Sequence, residues 1–156
     1  KFFYLNMDID DSFEPRFDII ILHSFIVFYF LKNFSDNEKK LSQFLFDFMF
    51  NDFDNNLREM GFGDIAVNKK MKVFITAFYG RIANYSQGVD QIQNNKKENI
   101  LNKAILNNIY KGRNTNDNKL KFFKEYIIRN LEFFNSRNFE INIKENFNFI
   151  DFPSEE

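Results

Sequence analysis

Cysteine and tryptophan are absent from this chain of 156 residues, and histidine occurs only once, at position 23. Without cysteine there is no disulfide framework, no thiol nucleophile and no thiolate metal site. His23 lies in a mostly apolar stretch, which argues against a histidine-rich metal site and a Ser-His-Asp triad. Neither GxxxxGK[ST] nor GxGxxG occurs, so the two common phosphate-binding loops are also missing.

The basic and acidic residues nearly balance, and the apolar runs are short. The chain carries 21 basic and 22 acidic residues, a net charge of −1, so it has no strongly basic footprint for duplex DNA. The longest apolar run, residues 19–31, is interrupted by His23 and Ser24. It is shorter than the roughly 20 residues that span a bilayer, and it is typical of a buried core helix.

Phenylalanine is abundant, with 24 residues, and its placement follows a helical pattern. Apolar side chains recur at steps of three or four, which predicts amphipathic helices. The predicted helices cover residues 16–33, 35–60, 69–85, 101–109 and 117–134. We therefore expect an all-α protein, a single compact bundle of about five helices, with the first of them central because it is apolar nearly all round.

The remaining segments are predicted as caps, connections and ends. Ser35 and Glu38 form a capping-box pattern at the start of the second predicted helix. Residues 61–68 and 87–99 are predicted connections, and residues 1–15 a lead-in segment before the helical domain, residues 16–153. Residues 139–153 are expected to form a short extended C-terminal tail against the bundle. Gly80, inside the third predicted helix, suggests that another backbone comes close there.

Two charged groups stand out. Asp47, Asn51, Asp54 and Arg58 recur at steps of four, three and four, so they share one helical face, which is either a solvated face or a partner-binding one. Lysines 69, 70 and 72 near a helix N-terminus oppose the helix dipole, so local stability does not explain them. A solvated face, an acidic partner or phospholipid head groups are the alternatives.

One stretch resembles a known family. Residues 46–85 read FDFMFNDFDNNLREMGFGDIAVNKKMKVFITAFYGRIANY, and the segments DFDNNLREMGFGD, the paired lysines 69 and 70, and AFYGR resemble the central signature of the ubiquinol–cytochrome c chaperone family. Outside this stretch, Arg16-Phe17, Leu22-His23 and Phe152-Pro153 are also similar to that family. The likeness touches most of the chain but is specific only in its middle.

The resemblance implies a non-catalytic helical protein, without a cofactor, that acts as an assembly chaperone for the respiratory cytochrome bc1 complex. It would bind and stabilise newly made cytochrome b or other bc1 subunits. In mitochondrial relatives it implies work near the ribosome with a small co-chaperone. The expected location is cytoplasmic and membrane-proximal in a bacterium, and the matrix side of the inner membrane in a eukaryote.

Site residues follow from the same stretch. We expect one stripe of the second predicted helix, with Phe46, Phe50, Phe53 and Leu57, to enter the core. The predicted partner-binding residues are Asp52, Asp54, Arg58, Glu59, Lys69, Lys70, Tyr79 and Arg81. The predicted structural residues are Gly61, Gly63, Asp64, Gly80, Phe78 and His23. Several residues of the first set could equally hold the turn between the two helices.

A second hypothesis belongs to a different class. Phe-rich amphipathic helices combined with lysines are also typical of a peripheral membrane protein that lies on anionic lipid. A third hypothesis, an isoprenoid-type enzyme, lacks the paired acidic metal-binding motifs that such an activity requires. The sequence therefore favours a protein that receives another polypeptide, with peripheral lipid binding as the alternative.

Overall fold

The computed structural model describes residues 2–32, 34, 36–94, 99–136 and 148–150. Within these ranges it contains helices and no strands, so the predicted all-α bundle is confirmed. The helices are α1 (Phe2–Asn6), α2 (Phe13–Leu31), α3 (Asp36–Glu59), α4 (Asp64–Gln93), α5 (Ile100–Asn108) and α6 (Asp117–Ser136).

Helix α2 is the central element, as the sequence predicts. Its apolar side chains point in every direction, and Ile21, Leu22, Phe25 and Ile26 are all fully buried. A helix that is apolar all round is stable only when neighbours cover each side. Helices α3, α4 and α6 pack against α2, and α5 packs between α4 and α6.

The buried side chains form two clusters that divide the bundle. The larger one joins α1, α2, α5 and α6 with the C-terminal half of α4. The smaller one joins the N-terminal half of α2 to α3 and the first half of α4, around Phe17, Phe50, Phe53 and Phe78. No described residue of α3 belongs to the larger cluster. Helix α3 therefore lies at the side of the bundle, held along one face.

The lead-in segment contains structure that periodicity did not reveal. Residues 2–6 form α1, whose Phe3 ring stacks on Phe123 of α6 at 5.6 Å. Met7 is buried, and its carbonyl accepts a hydrogen bond from the Tyr110 hydroxyl at 3.1 Å. Helix α2 begins before Pro15, which occupies the first turn, where proline's missing N–H leaves no helical bond unmade.

Helix α4 extends beyond both of its predicted ends. It begins at Asp64, whose carboxylate complements the helix dipole in the first turn, so only residues 60–63 connect α3 to α4. At its other end, residues 86–93 are helical although their sequence is polar. Gly88 and Val89 are buried there, against α5. Tertiary packing outweighs the weak local pattern in this segment.

Only part of the predicted tail can be described. In residues 148–150, which are not helical, the Ile150 N–H donates to the Asn130 Oδ1 at 2.9 Å and the Phe149 ring lies 4.7 Å from the His23 ring. This short piece therefore lies against the bundle. The remainder of the predicted tail, and the capping pattern of Ser35 and Glu38, lie outside the described residues and side chains.

The prediction for Gly80 was wrong, and Gly88 has the property expected of it. A Cβ atom added at Gly80 would meet nothing within 4 Å among the described residues. At Gly88 the same atom would lie 2.7 Å from both the Cα and the Cβ of Leu101. Helices α4 and α5 thus approach each other closely at Gly88 because this position has no side chain.

These two glycines form a matched pair for a stability test. We expect Gly88→Ala to destabilise the protein by about 1–3 kcal/mol because the new methyl group overpacks the α4–α5 contact. Gly80→Ala should instead stabilise it by up to about 1 kcal/mol through helix propensity. Urea unfolding of both variants measures the difference, and equal free energies of unfolding would contradict the assigned contact.

Candidate partner-binding surface

Aromatic rings join α3 to α4. The Phe78 ring meets Phe50 at 5.4 Å and 89° and Phe46 at 5.3 Å and 65°, both edge-to-face. Such pairs add about 0.5–1.5 kcal/mol beyond the area they bury. Phe50, Phe53 and Leu57 are buried and Phe46 packs partly buried against them, so the predicted core stripe of α3 is confirmed.

An open apolar groove runs along this contact. It has a volume of about 330 Å³ and is walled by side chains from α2, α3 and α4. Its lining residues are Phe28, Ser42, Gln43, Phe46, Phe78, Tyr79 and Ile82. Tyr79 stacks on Phe46 at 5.8 Å and remains largely exposed. The groove therefore offers aromatic ring faces to an incoming chain.

The outer face of α3 carries further apolar side chains, on the side opposite its core stripe. Phe44 and Phe48 are 67% and 66% exposed, and their rings stack on each other at 6.4 Å. Leu41, one turn earlier, is partly exposed as well. Exposed large apolar patches on a protein surface mark interaction sites more often than single exposed side chains do. We define Leu41, Phe44 and Phe48 as the aromatic face, which is distinct from the groove between α3 and α4.

Arg58 holds the turn between α3 and α4. Its Nε donates to the Asp54 Oδ1 at 2.5 Å, and its Nη1 donates to Asp64 in the first turn of α4. The two carboxylates raise the pKa of the guanidinium, Asp54 contributing most. Gly61 has a φ of 89°, the left-handed conformation that favours glycine. These contacts agree with the turn-fixing alternative for Arg58, Asp54 and Asp64.

The second predicted arginine, Arg81, lies in an ion-pair cluster inside the bundle. Asp18 of α2 is 1% exposed, and its Oδ1 lies 2.7 Å from the Arg81 Nη2. Its other oxygen accepts a hydrogen bond from Lys111, beyond the end of α5. Burial raises the pKa of Asp18, while the hydrogen bond from Lys111 and the charge of Arg81 oppose that rise. The cluster ties α2 to α4 and to the loop after α5.

His23 makes its side-chain hydrogen bonds inside the bundle. Its Nδ1 lies 2.8 Å from the Ile19 carbonyl oxygen, which can only accept, so Nδ1 donates and Nε2 accepts from the Tyr126 hydroxyl at 3.0 Å. Burial lowers the pKa of His23, with the backbone hydrogen bond acting in the opposite direction. The neutral imidazole thus links α2 to α6.

The predicted partner-binding residues separate into two groups. Asp52, Glu59, Lys69 and Tyr79 are exposed, with Asp52 accepting a hydrogen bond from Asn56 and Tyr79 stacking on Phe46. The others link separate parts of the chain: Arg58 joins Asp54 to Asp64 across the turn, Arg81 pairs with Asp18, and Lys70 lies 4.7 Å from the centroid of the Phe62 ring. Gly63 is the N-cap of α4, and Phe78 is buried in the smaller cluster.

Two features of this region were missed from the sequence. Asp18 was not singled out, although a lone carboxylate within an apolar helix signals a buried ion pair. Phe44 and Phe48 were not named among the predicted partner-binding residues, although they fall on a different side of α3 from the core stripe. In the described part of the chain, no three His, Cys, Asp or Glu side chains are grouped as a metal site.

The fold and this surface define a helical-bundle protein with an uncovered aromatic face, an arrangement suited to binding another polypeptide. The chain belongs to the ubiquinol–cytochrome c chaperone family, whose model matches residues 5–138. The family is named for a chaperone activity and not for a catalysed reaction. Among the described residues, no helix combines the length and hydropathy that a membrane crossing requires.

Individual relatives support this assignment. Ubiquinol-cytochrome c reductase complex assembly factor 1 of Mus musculus and of Homo sapiens are each 22% identical over 138 residues. These alignments cover 88% of this chain but 45% and 44% of the relatives, so the chain spans less than half of their length. The crystal structure of the Cbp3 homolog from Brucella abortus matches with a TM-score of 0.83 at 24% identity, covering 100% of this chain and 83% of that one, and shares its fold.

Removing Arg81 tests the buried ion-pair cluster. We expect Arg81→Met to destabilise the protein by about 3 kcal/mol because Asp18 would keep a buried charge with one partner fewer. Lys121→Met, which removes an exposed pair with Glu125 at 3.7 Å, is the control and should change stability by less than about 1 kcal/mol. Chemical denaturation measures both, and equal effects would mean that the cluster contributes no more than a surface pair.

The single histidine provides a pH test. The unfolded chain takes up a proton on His23 near its ordinary pKa of 6.5, before the folded protein does, because the folded pKa is lower. The stability advantage of the wild type over His23→Gln should therefore be complete above pH 6.5 and shrink as the pH falls towards the folded pKa.

Unfolding free energies of the two proteins between neutral and mildly acidic pH measure this difference. Asp18, whose pKa is raised, acts in the opposite direction in both proteins, so it cancels in the comparison. A constant difference across this range would contradict the buried, neutral imidazole.

Proposed function

We propose that this protein is an assembly chaperone for the cytochrome bc1 complex and that it binds newly made cytochrome b. Membership of the ubiquinol–cytochrome c chaperone family supports the assembly role, as do the names of the two mammalian relatives. The choice of cytochrome b as the bound subunit rests on the resemblance of residues 46–85 and on the chemistry of the exposed surface.

The observation that carries the proposal is the aromatic face. A newly made membrane subunit presents apolar helices before it enters the bilayer, and a receptor must offer apolar area to cover them. Each phenylalanine ring hides on the order of 150–250 Å² when buried. Phe44 and Phe48 are about two-thirds exposed, so most of this area is still available for binding. The groove between α3 and α4 offers separate apolar area.

Polar groups around the aromatic face would fix the orientation of a bound helix. Gln43 at the groove edge donates to the Asp47 carboxylate at 2.7 Å, and Asp52 lies one turn further along α3. Hydrogen-bonding and charged groups at the rim favour one register of the client over others. We assign Tyr79 to the groove wall and Asp52 to the charged rim of the aromatic face, and we propose that Glu59 and Lys69 make a separate partner contact near the turn between α3 and α4.

The internally paired residues have a supporting role in this proposal. Arg58 and Asp54 would hold the angle between α3 and α4, and Lys70 would cover Phe62 at the same turn. Arg81 would contribute by stabilising the fold, because its guanidinium is paired with the buried Asp18 carboxylate. Other bc1 subunits, the ribosome and a small co-chaperone remain proposed partners, with a location close to the membrane that holds the complex.

Removing the two exposed rings tests the client surface. We expect the double variant Phe44→Ser, Phe48→Ser to recover at least tenfold less cytochrome b in affinity purification from native membranes. The reason is that loss of two apolar anchors weakens binding by more than about 1.4 kcal/mol. Its melting temperature should not fall, because neither ring belongs to a core cluster.

Leu5→Ser is a matched control, since Leu5 is an exposed apolar side chain at 77% on α1, away from the aromatic face. This variant should recover cytochrome b at the wild-type level. If the folded double variant also recovers it at that level, the aromatic face is not the client site. If the wild type recovers none, the proposed function is wrong.

A further inference from the structure

A second apolar surface lies at the corner where α3 ends and α4 begins. Ile65, in the first turn of α4, is 88% exposed, and Val73, two turns later, is 60% exposed. Met60, in the connection after α3, is 57% exposed. An aliphatic side chain as open as Ile65 is unusual on a helix that has a core to pack against, and here three exposed apolar side chains fall within 14 residues of sequence around the turn.

Two lysines share this surface. Positions 65, 69, 72 and 73 are separated by steps of four, three and one, so their side chains lie on one side of α4. Lys69 and Lys72 are exposed, and no carboxylate in the described part of the chain forms an ion pair with either. We define Met60, Ile65, Lys69, Lys72 and Val73 as the corner surface.

Nearby carboxylates do not neutralise Lys69 and Lys72. Arg58 binds both Asp54 and Asp64, the carboxylates that bracket the turn. Lys70 adds a further positive charge beside Phe62. Asp64, the exposed carboxylate closest in sequence to Lys69, is held by Arg58, and the next one is Glu59, so four basic groups stand against three acidic ones around this turn. The corner surface is thus both apolar and basic.

We propose that the corner surface rests on an anionic lipid bilayer, with Ile65 and Met60 between the head groups and Lys69 and Lys72 against their phosphates. Basic side chains beside exposed apolar ones are the pattern that places a helix in a membrane interface. The end of α3, just before Ile65 in the chain, lies about 20 Å along the helix axis from Phe44 and Phe48. The protein can therefore touch the bilayer while the aromatic face stays open.

The chemistry of the corner surface favours lipid over RNA. RNA-binding surfaces use arginine planes and exposed aromatic rings on which bases stack. At this corner the arginine, Arg58, is held by two carboxylates, and the ring of Phe62 lies under Lys70. Exposed aliphatic side chains gain nothing from a phosphate backbone, but they gain from transfer into a lipid interface. This inference does not rest on the proposed function.

Vesicle co-sedimentation of the purified full chain tests the proposal. Wild type should bind vesicles of equal parts phosphatidylcholine and phosphatidylglycerol, and should bind pure phosphatidylcholine much more weakly. Each lysine near an anionic surface contributes about 1 kcal/mol, or fivefold, so Lys69→Gln with Lys72→Gln should weaken binding about 25-fold at low salt. This difference should shrink at high salt because the charges are then screened.

The apolar half of the surface has its own test. Ile65→Ser should weaken binding about tenfold at both low and high salt, since transfer of an aliphatic side chain does not depend on screening. The double variant Lys103→Gln, Lys121→Gln removes the same charge from α5 and α6, and should bind as the wild type does. All of these positions are exposed, so unchanged melting temperatures should accompany the binding data.

Three results would overturn the proposal: no wild-type binding to anionic vesicles, equal losses for the corner and control lysine variants, or wild-type binding by Ile65→Ser. A competition experiment gives a fourth. The proposal fails if single-stranded RNA binds the wild type more tightly than vesicles do, and if the Lys69→Gln, Lys72→Gln variant loses RNA binding but keeps vesicle binding. Cytochrome b recovery is a separate readout, so failure here leaves the chaperone assignment unaffected.

Discussion

Burial of most of the apolar side chains of α2 is the constraint on which the rest of the bundle depends. A helix that is apolar on every side must be covered from all directions, and this one also buries the Asp18 carboxylate. That charge is tolerated because Arg81 of α4 and Lys111 beyond α5 approach it from two sides. The same ion pairs therefore fix how α4 and the loop after α5 sit against α2. Helix α3 closes one remaining side through the smaller aromatic cluster.

This division of the core explains why α3 has a free face. Its inward stripe, with Phe50 and Phe53, is used in packing, whereas Phe44 and Phe48 point away from both clusters. A structural element attached along one stripe can bind a partner on the other without disturbing the central helix. Different side chains therefore provide stability and binding. A mutation can change one property without changing the other.

The spacing of apolar residues predicted most of the helices, but it did not predict the contacts between them. Steps of three and four residues identified α2, α3, α5 and α6, because amphipathic packing follows that period.

Asp18 pairs with a residue 93 positions away, and no local pattern reveals a partner at that distance. Gly80 and Gly88 look alike in sequence, and only the approach of Leu101 distinguishes them. At the candidate site, the core stripe and the shared helical face of Asp54 and Arg58 were predicted, while the pairs of Arg58 with Asp64 and of Arg81 with Asp18 needed three-dimensional contacts. The family was recognisable because residues 46–85 combine a turn, lysines and a glycine in a specific order.

Site-specific photocrosslinking in cells that synthesise cytochrome b tests the central claim most directly. A crosslinking side chain placed at position 44 or 48 should capture newly made cytochrome b, whereas one at position 5, equally exposed but on α1, should not. Capture at position 5 and none at positions 44 and 48, in cells that assemble the bc1 complex normally, would contradict the account.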